Sequence, residues 1–206
     1  MTNPQGADEV VRDRNALLAA SGATTLPARA QPHRDPKVRY GSPGYVWIPS
    51  RVQQTVVVST VDVPATVMVV GSPNSKGEPM PGAFVAGPHE LRVCFDPGRR
   101  LGLDGLGSHC VEATLLVRPG VTAVSRWQEV GMSSDNGLWI VPVGERVSFD
   151  PSRNGVHVEG LHGTIWLSPT PHGPAIGVYN PSGNYLKAHL GWDEAGAAAA
   201  LFVESY

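Results

Sequence analysis

The sequence predicts a mainly β protein. It reads as two antiparallel β units of sandwich or barrel type, tandem or intimately paired, related by internal duplication and preceded by an N-terminal helix and an extended arm. Three observations predict this. Charged residues make up 17% of the chain, while 24 glycines and 19 prolines punctuate it; such a composition favours short strands and many turns over helices or a disordered tail. Short Val-rich runs recur between Gly, Pro, Asn and Asp, as half-buried strands do between turns. Finally, Arg92-Val93-Cys94-Phe95-Asp96-Pro97-Gly98-Arg99 returns as Arg146-Val147-Ser148-Phe149-Asp150-Pro151-Ser152-Arg153. The echo extends upstream, from Val70-Gly71 to Val130-Gly131, and downstream, from Thr114-Leu115 to Thr164-Ile165. A repeat on this scale marks a duplicated supersecondary unit.

The elements follow in order. Asp8–Ala20 places Val10, Val11, Leu17 and Leu18 on one side at helical spacing, pairs Asp8 with Arg12, and meets Gly22 as a stop. From Ala23 to Gly44, prolines at 27, 32, 36 and 43 and a scarcity of apolar residues describe an extended arm suited to lying across a neighbouring subunit. Residues 1–44 thus form helix and arm. The first β unit, 45–120, takes strands at Tyr45–Ile48, Thr55–Val61, Ala65–Val70, Ala83–Ala86, Glu90–Phe95 and Cys110–Val117, with a loop at 72–82. The second, 121–169, takes Val121–Val130, Leu138–Val141, Arg146–Phe149, Val156–Glu159 and Thr164–Leu167. Residues 170–206 form a Gly/Pro-rich C-terminal segment. In it the alanine run of Ala195–Val203 favours a short helix, although Leu201-Phe202-Val203 suits a strand.

The cysteines suggest a register. If Glu90–Phe95 pairs with His109–Val117 so that Cys94 faces Cys110, Arg92 faces Glu112 and Val93 faces Val111, which satisfies charge, alternation and sulfur geometry together. A Cys94–Cys110 disulfide closing the Asp96–His109 loop then contributes about 3 kcal/mol through loop closure. Two reduced thiols in a hairpin are the other reading, favoured by a cytosolic origin.

No motif for a nucleophile elbow, phosphate loop, dinucleotide site or zinc protease occurs. Asp96 and Asp150 invite comparison with a carboxylate pair, but Asp-Pro followed by Gly or Ser is first a turn. The histidines at 33, 89, 109, 157, 162, 172 and 189 read as loop and turn residues in solvent, and His109, Cys110 and Cys94 diverge too far for zinc. No catalytic, cofactor or metal residue is assigned, and no enzyme activity is expected. Trp139, Trp166, Tyr185 and Trp192 are the candidate interface or ligand aromatics; Trp192 is expected nearest the surface. The net charge of −2 gives no basic footprint, so direct nucleic-acid binding is not expected. The polar Met1–Arg14 has no apolar signal-peptide core, and no stretch is long enough for a membrane helix.

The combination of arm, duplicated β unit and missing chemistry resembles the general style of phage and viral virion components: capsid decoration, connector or fibre-attachment proteins. That resemblance implies a structural protein in a virion, in contact with copies of itself or other subunits and held by its arm. The alternatives are a cytoplasmic location and a β-sandwich module binding carbohydrate, protein or a receptor.

Overall fold

The structure, a computed structural model, describes residues 4–20, 22–26, 29–32, 45–48, 50–71, 84–100, 109–133, 137–145, 155–156, 161–162, 164–179 and 186–205. Its helix is α1 (Pro4–Ala19). Its strands are β1 (Ala23–Leu26), β2 (Arg29–Pro32), β3 (Tyr45–Ile48), β4 (Arg51–Val63), β5 (Val67–Val70), β6 (Gly87–Arg100), β7 (His109–Val117), β8 (Arg126–Ser133), β9 (Gly137–Pro142), β10 (Gly155–Val156), β11 (Leu161–His162), β12 (Thr164–Ser168), β13 (Ala175–Tyr179), β14 (Leu186–Trp192) and β15 (Ala198–Ser205). The protein is mainly β, with an N-terminal helix, as its composition and Val-rich runs predict.

A large sheet runs β1-β4-β6-β7-β15-β14-β8, each neighbour antiparallel to the next, and β11 adds a short parallel pairing to the start of β7. A smaller antiparallel sheet runs β10-β12-β13-β9-β5. Among the described residues, strands β2 and β3 pair only with each other, as a two-stranded ribbon.

The layers follow from where apolar side chains go. One face of the large sheet meets the small sheet over a core that includes Val63, Phe84, Leu91, Val93, Leu138, Ile140, Ile176 and Leu190. Gly131 of β8 lets the sheets close at one corner, because a Cβ there would stand 2.7 Å from Val69 Cγ1 of β5. The opposite face of the large sheet is covered by α1, whose Leu17 and Leu18 pack with Cys94, Leu115, Ala200 and Phe202. A large sheet apolar on both faces needs two covering layers.

Several expectations are corrected. The alanine run is a strand: β15 pairs with both β14 and β7, and Ala198, Ala199 and Ala200 are buried. Sandwiched between layers, small side chains that let both approach outweigh alanine's helix propensity. Residues 170–206 therefore supply β13 to the small sheet and β14–β15 to the middle of the large one, between β7 and β8. The turn joining β14 to β15 is built by Asp193, whose Oδ1 accepts from Ala197 N at 2.8 Å, with Gly196 at φ 78°.

The hairpin register differs too. Cys94 faces Ala113, and Arg92 faces Leu115. Arg92 instead bonds Glu90 and donates to Leu18 O at 2.8 Å, where a cation offsets the negative end of α1. Glu112 takes Arg51 (2.8 and 3.0 Å) and Gln53 from β4. Sequence pairing considered two strands, but the third, β4, supplies the better partners.

Ala23–Leu26, read as the start of the arm, is an edge strand of the large sheet with Leu26 buried. Residues 121–125 precede β8 rather than belonging to it; Val124 is bound at both backbone groups by the Asn15 side chain of α1 (3.0 and 3.2 Å). In 83–86, Phe84 makes one isolated bridge to Ala198. Residues 33–44, 72–83 and 146–154, including the expected strand Arg146–Phe149, and residues 157–159 of the expected strand Val156–Glu159 lie outside the described residues. The internal duplication is not shown: Val70 stands in the small sheet and Val130 in the large, while Thr114-Leu115 stands in the large and Thr164-Ile165 in the small.

Candidate functional site

Two clusters concentrate chemistry-bearing side chains. The first is the outer face of the small sheet. Gly177 of β13 lies opposite Trp166 of β12 on one side and Trp139 of β9 on the other. A Cβ at Gly177 would meet three Trp139 ring atoms at 2.6–2.9 Å, so the indole lies directly on the glycine backbone. Trp139 and Trp166 stack at 5.4 Å with planes 5° apart, and Tyr179 follows at 5.7 Å from Trp166. Val70, Val141 and Ala175 complete this small outer cluster, with Met68 packed against it. Trp139 is 4% exposed, whereas Trp166 and Tyr179 are partly exposed. Stacked rings of this kind take an apolar side chain or the flat face of a sugar, and here only Trp166 and Tyr179 offer surface for it.

The second cluster joins α1 to the far end of the large sheet. Arg14 Nη2 donates to Glu204 Oε1 at 2.5 Å, and His189 Nε2 lies 3.1 Å from the same oxygen. The Arg14 guanidinium also sits 5.8 Å from the Trp127 ring centre and 5.6 Å from that of Phe202. Trp127 in turn lies on Gly191, where a Cβ would meet its ring at 2.9 Å. Burial pushes the Glu204 carboxyl up, but the neighbouring His189 imidazole and the Arg14 charge outweigh it and bring the carboxyl down to about 2. This is an ionised, buried clamp that fixes the helix to the sheet. Its sequence signal was Arg14 at three and four residues before Leu17 and Leu18, which puts a cation on the helix's buried side.

The sequence-predicted site residues are placed as follows. Trp139 and Trp166 come together. Tyr185 lies outside the described residues. Trp192 is in the core rather than at the surface: it is 7% exposed, under the Arg126 guanidinium at 4.7 Å, with its carbonyl held by Ser125. The Gly-rich tail around it forms a central hairpin, which draws the residue inward. Cys94 is a free thiol. Its register partner Ala113 is three residues from Cys110 along β7, a separation of about 10 Å at the rise of a strand, beyond a bridge's reach. The Cys110 side chain lies outside the described residues. Burial pushes the Cys94 thiol up to about 12, against a contact of 3.4 Å with Thr55 Oγ1. Cys94 is therefore expected to resist iodoacetamide in the native protein at pH 8 and to react on unfolding. Peptide mapping that finds Cys94 alkylated without denaturant would contradict its burial.

Asp96 Oδ1 accepts from Gly98 N at 2.8 Å, but Asp96-Pro97-Gly98 lies within β6, at the irregularity where the pairing with β7 skips from Phe95 to Arg100, rather than in the turn its sequence predicts. Asp150 lies outside the described residues. Two histidines are buried rather than in solvent: His189 in the clamp, and His89, which is 1% exposed, bonds Gly87 O at 3.0 Å and stands edge-on to Phe84. His172 is exposed and paired with Glu145. Among the described residues no group of three His, Cys, Asp or Glu is placed to hold a metal ion, and no helix is long and apolar enough to cross a membrane.

No family model matches this chain, and neither the curated proteins nor the solved structures contain a match to it.

Proposed function

We propose that this protein is a non-enzymatic structural component of a larger protein assembly, with a virion as the setting that suits it best. The observation that carries this reading is the β2–β3 ribbon. Among the described residues it forms a sheet of its own, with Arg29–Pro32 registered against Tyr45–Ile48 and no ladder to either main sheet. A lone two-stranded ribbon is marginal in water, and β3 consists of four apolar residues in succession, Tyr45-Val46-Trp47-Ile48. Such a ribbon suits a contact with another subunit, where a partner covers it. The body is consistent with a building block: its layers serve to bury one another, and its charged cluster serves to hold α1.

The test is native mass by light scattering on the full chain beside a Val46→Ser/Trp47→Ser variant. A defined oligomer or larger particle that the variant lacks, at unchanged melting temperature, supports the reading. A monomeric wild-type chain, or a variant that assembles as the wild type does, overturns it. The alternative, a β-sandwich module binding carbohydrate or protein, draws on Trp166 and Tyr179 of the outer face. A glycan array that lights up for the wild type and not for Trp166→Ala would favour that alternative.

A further inference from the structure

We infer that His89 is an acid-sensitive latch: its neutral ring keeps Phe84 seated in the core between the two sheets, and a second ring proton releases the segment Phe84–Ala86 about Gly87. The inference is independent of the assembly reading.

The surroundings hold the ring in one state. His89 lies in β6 opposite Val61 of β4 and is 1% exposed; Val61 and Leu91, the next residue on its face, both belong to the core between the sheets. Gly87 O can only accept, so Nδ1 carries the proton of that 3.0 Å bond. In the neutral ring Nε2 is then a bare acceptor. It is fully buried and, among the described residues, has no hydrogen-bond partner. A proton arriving there makes a cation in an apolar wall, with a new N–H that has nothing to donate to.

No carboxylate is placed to receive it. Asp62 and Glu90, the nearest acidic residues along β4 and β6, alternate to the other face of the sheet, where Glu90 is engaged by Arg92. The charge that reaches the ring is Arg118, just beyond β7, itself a cation with Asp193 as its own partner at 3.0 Å. His189 and His172, by contrast, each have a carboxylate beside them, Glu204 and Glu145. Burial holds the His89 value below its ordinary 6.5, opposed by the Gly87 bond and reinforced by Arg118.

The part that gives way is short. Phe84 N donates to Ala65 O at 2.9 Å, and Phe84 makes its isolated bridge to Ala198. The Phe84 ring is 2% exposed, with its centre 5.3 Å from that of His89, whereas Val85 and Ala86 are exposed. Phe84 is thus what anchors the segment. Gly87 follows at φ 128°, a backbone state that side chains disfavour, and Pro88 has no N–H to add to the ladder with β4. Swinging Phe84 out about this joint brings water to Nε2 while β6 keeps its pairing with β4 and β7.

The direction of the pH effect follows. In the open form the ring is in water and titrates at its ordinary 6.5, and in the closed form it titrates lower. The closed form is therefore fully favoured above pH 6.5 and loses ground as pH falls below it. The Glu204 carboxylate acts in a separate window, below 4.5.

The experiment is residue-resolved amide exchange by NMR on the full chain at pH 7.5 and pH 5.5, for the wild type and His89→Leu. Corrected for intrinsic rates, exchange at Phe84 should rise about tenfold in the wild type at the lower pH. The amide of Phe202 in β15 should not change, and His89→Leu should lose the rise. Exchange at Phe84 indifferent to pH, a rise that persists in His89→Leu, or a rise shared equally by Phe202 overturns the inference. Should His89→Leu fail to fold, the wild type decides alone. Its His89 ring should show the Nδ1–H tautomer at pH 7.5, and the opening at Phe84 should track the His89 titration. An Nε2–H tautomer, or opening that does not follow that titration, overturns the latch.

Discussion

Glu204→Ala is expected to lower folding stability by about 3–5 kcal/mol, the usual effect of removing one partner from a buried ion pair. The carboxylate is the counter-charge for Arg14, whose side chain is 8% exposed beneath Trp127 and Phe202. Without Glu204 that guanidinium must either stay unpaired or drag α1 off the sheet, uncovering Leu17 and Leu18. The measurement is the denaturant midpoint at constant slope. Arg14→Met/Glu204→Leu should recover much of the loss, because it removes both charges together. A loss under about 1 kcal/mol for the single variant would mean that the pair behaves as a solvated surface contact.

The same carboxylate sets an acid limit. Its folded-state value of about 2 lies below the ordinary 4.5. The stabilisation is therefore present above pH 4.5 and lost as pH falls toward 2, by about 3 kcal/mol in all. Stability measured from pH 5 down to pH 2.5 should fall in the wild type and fall less in Glu204→Gln. Equal slopes would contradict the assignment.

Trp139→Ala is expected to cost about 3–5 kcal/mol, the range for deleting a buried aromatic. The indole is 4% exposed, lies on Gly177 and stacks on Trp166, so its loss leaves a hole that rigid strands β9 and β13 cannot close. Gly177→Ala approaches the same contact from the other side. Its new methyl would stand 2.6 Å from the ring, and such overpacking costs about 1–3 kcal/mol. The two effects should not add. Once the ring is gone the methyl has room, so the double variant should be more stable than the sum of the singles implies. Near-UV circular dichroism gives a second readout, since the stacked pair should produce an exciton signal that Trp139→Ala abolishes. Additive losses would mean that the ring and the glycine do not share one site.

Part of this arrangement was legible in the chain. The runs at 55–61 and 110–117 became strands and Leu17 and Leu18 became the buried side of the helix, whereas Asp96-Pro97-Gly98, which reads as a turn, lies within β6. The aromatic pair Trp139–Trp166 could be named but not joined, because nothing local places β9 and β12 on either side of Gly177. Trp192 and His189 were misread for one reason: the Gly-rich composition around them suggested surface, while in the fold it serves close packing, as Gly191 does beneath Trp127.

The sequence by itself determined the fold class and the positions of most strands, because alternation, β-branching and turn chemistry act between residues close along the chain. Tertiary structure alone decided which strands became neighbours. It put Glu112 with Arg51 instead of Arg92, made a buried strand of an alanine run, and set Arg14 against Glu204 across 190 residues. Those outcomes follow from burying two faces of one sheet at once. That requirement is met between layers, and no local preference encodes it.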